Sequence, residues 1–383
     1  MKPVTQFGMA LTVAALMMAA CGHDEAPPSP PAQPGPYFSV FPVAEADYTH
    51  IVPLGNLNPT GHTLPTDHFY IYIRPGPPNT PAEVAVVAPG DIVITGIQVQ
   101  RNITDNFSDY GMEFQPATSH LFRGRFGHMF SLHSTLSAVM DGVTPTCGDP
   151  YHTGDKDYQN CQYRVRIAVA AGAPLGTTGG RAGQYALDFW AYDFMRPPNT
   201  YANPARYAGT DLPYAVCAVD YFFDPPRATL ETRFGNGFNR RTAAPVCGTV
   251  AQDHPGTAQG NWFRDGYPDI YPEDNHLALV HDNIDPTRPV FSVGTRATGV
   301  SGGRYIYTPA NTGLINRDFS AVTADGQIYC FDTLSGLPGT IVLLQMPTPT
   351  TLWLEGQSAA AAAITCAGPA PWSFTAAKAV YLR

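Results

Sequence analysis

Charge is scarce in this sequence. Asp, Glu, Lys and Arg supply 14% of the 383 residues, against roughly 25% in an average soluble protein. The net charge is −9 and no basic stripe runs along the chain, so nothing favours nucleic-acid binding. The chain has 20 Tyr and 20 Phe, whereas disordered chains have few aromatic residues and dense charge. Low charge with many aromatic residues is typical of a folded, β-rich exported protein.

Long helical patterns are missing as well. Between residues 40 and 190, only Ser134–Met140 has helical spacing. Elsewhere short apolar runs, such as 69–73 and 184–194, are separated by turns that draw on 36 Gly and 38 Pro. The runs that flank Pro89-Gly90-Asp91 predict a β-hairpin. Together these patterns predict an all-β protein.

The length favours about two domains at roughly 150 residues each. We predict a signal peptide at 1–21, a Pro-rich tether at 22–36, a β domain at 37–196, a connecting region at 197–245 and a second β domain at 246–383. The second domain has evenly spaced short strands, typical of a small barrel or sandwich with Trp262 in its core. We predict one strand in the connecting region, at 215–223. The alanine-rich segment 358–366 fits either a helical turn or a loop.

The N-terminal apolar run at 9–20 has about a dozen residues, too few to span a bilayer. It follows Lys2 and ends in small residues before Cys21, which resembles a bacterial lipoprotein signal. The alternative is an ordinary signal peptide with a chance cysteine. Gly22 at the next position, rather than Asp, points to the outer membrane. We therefore predict an exported protein that is lipidated at Cys21 and anchored to the outer membrane, on its periplasmic or surface side.

The other six cysteines form no C-x-x-C pair, which disfavours a zinc cluster. An even number in an exported chain favours disulfides. Pairing of nearest neighbours is the simplest connectivity, because each bridge then stays within one local region. The predicted bridges are Cys147–Cys161, Cys217–Cys247 and Cys330–Cys366.

Three places carry residue types that suit metal binding or catalysis. His62, Asp67 and His68 precede a strand, His128 lies in a second strand, and Asp188 interrupts an apolar strand. A carboxylate rarely sits in an apolar run without a partner. Each place also has a purely structural interpretation: a hydrogen-bonded loop histidine, a core histidine, or a carboxylate that pins a loop.

The order of these motifs resembles the lysostaphin-type (LytM-type) zinc metallopeptidases, which cut peptide cross-links in bacterial cell walls. The resemblance covers roughly residues 50–195. It rests on a His followed by an Asp, the turn in 86–97, "FGH" at 126–128, the Gly-rich 169–183 and "ALDF" at 186–189. It implies a β-sandwich of the lysostaphin (duplicated hybrid motif) type and a zinc ion. The implied roles are His62, Asp67 and Asp188 as metal ligands and His128 as a catalytic residue.

Two departures from the family pattern affect the predicted function. His62 and Asp67 are five positions apart rather than four, and the expected His-x-His is Ala186-x-Asp188. Asp188 is an acceptable zinc ligand, but Ala186 cannot transfer a proton, and loss of such a group typically costs about 10²–10⁴-fold in rate. We therefore expect a degenerate domain that binds cell-wall peptide or an envelope protein. The alternatives are an active zinc endopeptidase with a His/Asp/Asp ligand set, and a structural or adhesive lipoprotein.

Overall fold

The computed structural model describes residues 35–77, 80, 82–153, 156–358, 365–367 and 372–383. Strands account for 43% and helices for 10% of the structure, which confirms the all-β prediction. The predicted signal peptide, Cys21 and the tether as far as residue 34 lie outside the described residues, as does most of the alanine-rich segment 358–366. No helix within the described ranges has the length and apolar character needed to cross a membrane.

The elements follow one another in short segments. The strands are β1 Tyr48–Val52, β2 His68–Ile73, β3 Glu83–Val87, β4 Ile92–Asn102, β5 Phe107–Pro116, β6 Phe122–Leu132, β7 Thr146–Cys147, β8 Tyr151–Thr153, β9 Lys156–Val169, β10 Pro174–Gly179, β11 Ala186–Asp193, β12 Gly260–Arg264, β13 Leu277–His281, β14 Pro289–Val293, β15 Gly303–Ile306, β16 Tyr329–Phe331, β17 Thr340–Thr348, β18 Thr351–Ser358 and β19 Ala379–Leu382. The α-helices are α1 Ser134–Met140, as predicted, and α2 Pro226–Glu231. Short 3-10 helices cover Glu45–Asp47, Pro204–Tyr207, Leu212–Tyr214, Ala218–Tyr221, Glu273–Asn275 and Phe319–Ala321.

The first sheet contains β1 to β11, and its main path runs β1-β2-β11-β6-β5-β4-β9-β7. Strand β10 joins it by pairing with β3 and β6, and β8 pairs with β9. Its buried face is aromatic, with Phe69, Phe114, Phe126 and Phe189 in one cluster. Side chains alternate between the two faces of a strand. On each of these strands, the residues next to the phenylalanine in sequence therefore face away from the core.

The second sheet is antiparallel, with the strand order β15-β14-β13-β12-β19-β18-β17-β16. Its core contains Trp262, as predicted, together with Phe291, Phe331 and Tyr381. A further apolar cluster joins Leu57 and Leu64, from the loop before β2, to residues of the second sheet such as Phe263 and Val280. Ala32–Arg383 accordingly group as one unit.

The predicted hairpin around Pro89-Gly90-Asp91 is wrong. Strand β3 pairs with β10, whereas β4 pairs with β5 and β9. The Pro89 carbonyl accepts hydrogen bonds from the backbone N–H groups of Ser39 and Val40, at 2.8 and 3.0 Å. The turn is therefore bonded to the segment before β1 rather than closing two paired strands.

The predicted strand at 215–223 is also wrong, because Ala218–Tyr221 is a 3-10 helix. The buried residues do not alternate here: Cys217, Ala218 and Val219 are buried in succession, Asp220 is exposed, and Tyr221 and Phe222 are buried again. A strand with one buried face would bury alternate residues, and the 3-10 helix instead buries Ala218, Val219 and Tyr221 while it leaves Asp220 in solvent.

All three predicted disulfides are present in the structure. Cys147 pairs with Cys161, Cys217 with Cys247 and Cys330 with Cys366, at sequence separations of 14, 30 and 36. The first bridge links opposite residues of β7 and β9. Each bridge stays within one local region, as the nearest-neighbour argument required.

Candidate functional site

Strands β2, β11 and β6 lie side by side and carry most of the predicted site residues. Asp188 on β11 is opposite Tyr70 on β2 and Gly127 on β6, and Trp190 is opposite His68. Residues paired across strands share a face of the sheet. Asp188 and His68 therefore lie on the face away from the phenylalanine core.

A β-bulge turns His128 toward the same face. Between their pairings at Tyr110–Met129 and Met112–Phe126, β5 has one residue and β6 has two, Gly127 and His128. His128 has a φ of +59°, in the left-handed region that few residues other than glycine adopt. In a regular strand His128 would face the core beside Phe126, so the bulge redirects its side chain. Such strain is typical of functional sites.

Gly127 leaves room for an aromatic ring. A Cβ atom at this position would lie 2.8 Å from the Trp190 ring, which is closer than real Cβ contacts allow. The indole therefore crosses over the backbone of β6 next to the bulge. This packing keeps Trp190 within reach of the loop that precedes β2.

Two histidines meet at Asp188. His68 Nε2 lies 3.5 Å and His128 Nε2 lies 3.4 Å from Asp188 Oδ2. On its other nitrogen, Nδ1, each histidine pairs with a second carboxylate, His68 with Asp67 at 3.0 Å and His128 with Asp109 at 2.7 Å. The five side chains form a continuous series that runs Asp109, His128, Asp188, His68, Asp67.

Asp67 lies behind His68, away from the surface. Its Oδ1 also accepts a hydrogen bond from Trp190 Nε1 at 2.9 Å, and its Oδ2 accepts one from the Tyr192 hydroxyl at 2.6 Å. Burial alone raises the pKa of Asp67, but the hydrogen bonds from His68 and Tyr192 outweigh it and hold the pKa below its usual value. Asp67 is therefore ionised at neutral pH and holds His68 with Nδ1 protonated.

Two atoms of this series have no hydrogen-bond partner. His68 Nε2 and Asp188 Oδ1 are buried and make no hydrogen bond, and the contact of His68 Nε2 with Asp188 Oδ2 at 3.5 Å is an ion-pair distance only. Leaving a buried polar atom unpaired typically costs about 1–3 kcal/mol. Metal-binding histidines usually donate their second ring N–H to a carboxylate, as His68 and His128 do here. In the described part of the chain, however, no three His, Cys, Asp or Glu side chains are already grouped so as to hold a metal ion.

His62 lies at the edge of this series. Its ring centre is 5.5 Å from that of His68, and its Nδ1 is 3.9 Å from Glu273 Oε1. Glu273 comes from the 3-10 helix before β13, and its Oε2 accepts a 2.9 Å hydrogen bond from the Leu64 N–H. Burial lowers the pKa of His62, but Glu273, Asp188 and Asp67 together raise it above its ordinary value.

His128 is the most strongly shifted histidine of the site. Desolvation lowers its pKa, but the hydrogen bond to Asp109 and the charge of Asp188 outweigh this and raise the pKa to about 9. About half of its side chain, 51%, is nevertheless open to solvent. The ring is therefore a solvent-accessible imidazolium at neutral pH, flanked by two carboxylates.

His62, Asp109, His128 and Asp188 line an open cleft of about 690 Å³, whereas Asp67 and His68 lie behind its surface. Aromatic residues, including Tyr70, Tyr72, Phe107 and Tyr185, line the cleft together with side-chain amides such as Gln184. Ala186 also lines it, opposite Tyr72 and two residues before Asp188. Where the resemblance expects a second imidazole, the cleft has only a methyl group.

The sequence did not identify Asp109 or Glu273, and it gave His68 no defined role. The register between β2 and β11 could have placed His68 in the site. His68 is opposite Trp190, and Trp190 faces the same side of the sheet as Asp188. Asp109 becomes a partner only through the pairing of β5 with β6. Glu273 has no local signal, since it is 209 positions from Leu64.

Comparison with known proteins found no matching family model, no similar curated protein and no similar solved structure. The resemblance to lysostaphin-type peptidases, and the ligand set His62, Asp67 and Asp188 that it implies, therefore stay predictions.

Proposed function

We propose that the cleft on the first sheet binds an extended peptide without efficient hydrolysis, in a lipid-anchored envelope protein. The ligand is cell-wall peptide or a segment of an envelope protein. The observation that carries this proposal is the open cleft of about 690 Å³, which is lined by tyrosine and amide side chains together with Asp109, His128 and Asp188. Aromatic surfaces with a few well-placed polar groups are typical of ligand sites.

Two features argue against efficient proton-transfer catalysis. Ala186 supplies no proton donor or acceptor beside Asp188. His128 has a pKa of about 9, so at neutral pH it already carries the proton that a general base must accept. In the binding function, the same imidazolium and the Asp188 carboxylate instead offer fixed charges to a peptide backbone.

The test is sedimentation of the full chain with purified peptidoglycan sacculi. Asp188→Asn keeps the shape of the side chain but removes its charge, and we expect at least about tenfold weaker binding. Asp157→Asn is the matched control, because Asp157 pairs with His152 on an exposed part of the first sheet and should leave binding unchanged. Equal binding by both variants and the wild-type chain would contradict the proposal, as would chelator-sensitive cleavage of the sacculi.

A metal-dependent hydrolase is a second function, favoured by the unpartnered His68 Nε2 and Asp188 Oδ1. Two imidazoles and one carboxylate suit zinc or a similar divalent ion, and His68, His128 and Asp188 would hold it. Such an ion would act as a Lewis acid on a peptide carbonyl. In this function Asp67 and Asp109 orient the two rings through their Nδ1 atoms.

Metal content separates the two functions. The full chain is purified without a histidine tag, and bound metal is measured by mass spectrometry, with zinc affinity measured by calorimetry. The metal function requires one equivalent of bound zinc per chain, which His68→Ala should lose. The control His50→Ala should retain it, because His50 stacks on Tyr72 instead. Absence of zinc binding by the wild-type chain would exclude it and leave the binding function.

A further inference from the structure

We propose that Arg181 forms a carboxylate-binding subsite in the cleft, so that the preferred ligand is a peptide with a carboxylate next to a backbone N–H. This inference rests on the proposed binding function and deepens it by naming the ligand's chemistry. Arg181 is the only Lys or Arg among the described residues that line the cleft. The His128 imidazolium of the same cleft is already paired with Asp109 and Asp188, and these two carboxylates would repel a further carboxylate beside it.

The guanidinium of Arg181 is held in place but is not neutralised. Its Cζ atom lies 3.5 Å from the centre of the Phe107 ring and 5.3 Å from that of Phe130. One N–H group makes a long hydrogen bond of 3.4 Å to the Ser108 carbonyl. No carboxylate of the described residues pairs with Arg181. Aromatic rings fix the plane of a guanidinium while leaving its edge free, and that edge matches a carboxylate with two parallel hydrogen bonds.

Gln184 supplies the second half of the subsite. Its backbone N–H donates to the Arg181 carbonyl at 3.1 Å, so a tight turn holds the two residues together. Its Nε2 donates to Asp109 Oδ1 at 3.4 Å. The Oε1 atom is buried without a partner, in a residue that is only 9% exposed and lines the cleft. Gln184 Oε1, which has no hydrogen bond, and the Arg181 guanidinium, which has no carboxylate partner, belong to one turn that lines the cleft. Together they would complement a carboxylate that adjoins an N–H.

Two parts of a peptide present this pair of groups. The C-terminal residue carries its own N–H beside the terminal carboxylate, and an acidic side chain lies near its own backbone N–H. Both are bound through the same chemistry. Amidation of one or the other carboxylate distinguishes them.

The experiment measures binding of three probes to the full chain by calorimetry. The probes are a soluble cell-wall stem peptide with free carboxylates, the same peptide with a C-terminal carboxamide, and the same peptide with its side-chain carboxylate amidated. The variants are Arg181→Gln and Arg181→Lys. The matched control is Arg166→Gln, an exposed arginine of β9. Thermal unfolding of each variant verifies that it is folded.

We expect one amidated probe to bind the wild-type chain about 10- to 100-fold more weakly than the free peptide, the range for a charged hydrogen-bonded pair. Arg181→Gln should abolish that difference, and Arg181→Lys should restore part of it. Arg166→Gln should preserve it in full. The amidated probe that loses affinity identifies the source as the C-terminus or the side chain.

Other outcomes overturn the inference in distinguishable ways. If the wild-type chain binds all three probes equally, or if Arg181→Gln weakens all of them to the same extent, the subsite is wrong while the binding function stands. If the wild-type chain binds none of the probes and no sacculi, the proposed function fails and the subsite fails with it.

Discussion

The two sheets differ in how their histidines are held. In the second sheet, both ring nitrogens of His276 have backbone partners, the Asp269 carbonyl at 2.8 Å and the Arg264 N–H at 3.3 Å. In the first sheet, His68 leaves Nε2 unpartnered, and His128 adopts a left-handed backbone conformation. A fold keeps such costs only where something else is gained. The difference separates a histidine whose ring is fully hydrogen-bonded within the fold from the two histidines of the candidate site.

The largest effect on stability should come from a change in the core of the second sheet. Trp262 is fully buried, donates its indole N–H to the Ala258 carbonyl at 2.7 Å, and stacks under the Arg383 guanidinium. We expect Trp262→Ala to lower the free energy of unfolding by about 3–5 kcal/mol, measured by urea denaturation. Trp353→Ala, at a partly exposed site, is the control and should cost much less. Equal losses would show that the second sheet is not organised around this indole.

A smaller effect tests the ion pair of the second sheet. Burial raises the pKa of Asp318, but hydrogen bonds from His281 and Ser320 outweigh it and hold the pKa far below its usual value. A carboxyl with a depressed pKa contributes stability above its unfolded pKa, near 4, and loses it as the pH falls further. We expect Asp318→Asn to lower the free energy of unfolding by about 1 kcal/mol at pH 7. On acidification to about pH 3, the variant should lose less stability than the wild-type chain does.

The control for this measurement is Asp265→Asn, at an exposed position after β12. It should follow the wild-type stability curve between neutral and acidic pH. If Asp318→Asn and the wild-type chain lose the same stability on acidification, the His281–Asp318 pair does not account for acid sensitivity.

The contact between the sheets should have a still smaller effect on the free energy of unfolding. Glu273→Gln keeps an oxygen for the Leu64 N–H but removes the charge next to His62, and we expect a loss of about 1 kcal/mol or less. Since Glu273 is the main group that raises the pKa of His62, this pKa should fall in the variant, as measured by NMR titration. Glu231→Gln, on the exposed side of α2, should leave it unchanged. An unshifted His62 would mean that the second sheet has no influence on the site.

The smallest effect on stability should come from His128, and its sign is opposite to that of Asp318. A histidine whose pKa rises to about 9 on folding contributes stability that is complete below its unfolded pKa, near 6.5, and is lost as the pH rises through about 9. Because solvent screens the charge of this half-exposed ring, the change in stability should be small. NMR titration should place His128 near pH 9 and nearer its ordinary value in Asp109→Asn. A titration near pH 6.5 in the wild-type chain would contradict the series of paired side chains.

The sequence predicted local features and failed where distant strands meet. Alternation identified strands such as β2 and β11, and nearest-neighbour pairing identified the disulfides, because both depend on short stretches of chain. The turn at Pro89 was misassigned because hydrogen bonds to Ser39 and Val40, far away in sequence, decide its pairing. Asp109 was missed for the same reason, since its role depends on a bulge in the partner strand. The motif predicted a catalytic role for His128, which stays a prediction, and its left-handed backbone leaves no mark in the sequence.

The hydrogen bond from Leu64 to Glu273 has a consequence for the order of folding. Its donor and acceptor are 209 positions apart, and contacts of such long range form late because loop closure must precede them. During synthesis, the strands that carry His68, His128 and Asp188 leave the ribosome long before the residue that ties down the loop beside them. The edge of the cleft near His62 is therefore completed only when the second half of the chain has folded. Under the proposed binding function, a ligand that contacts this edge would bind only after the second half of the chain has folded.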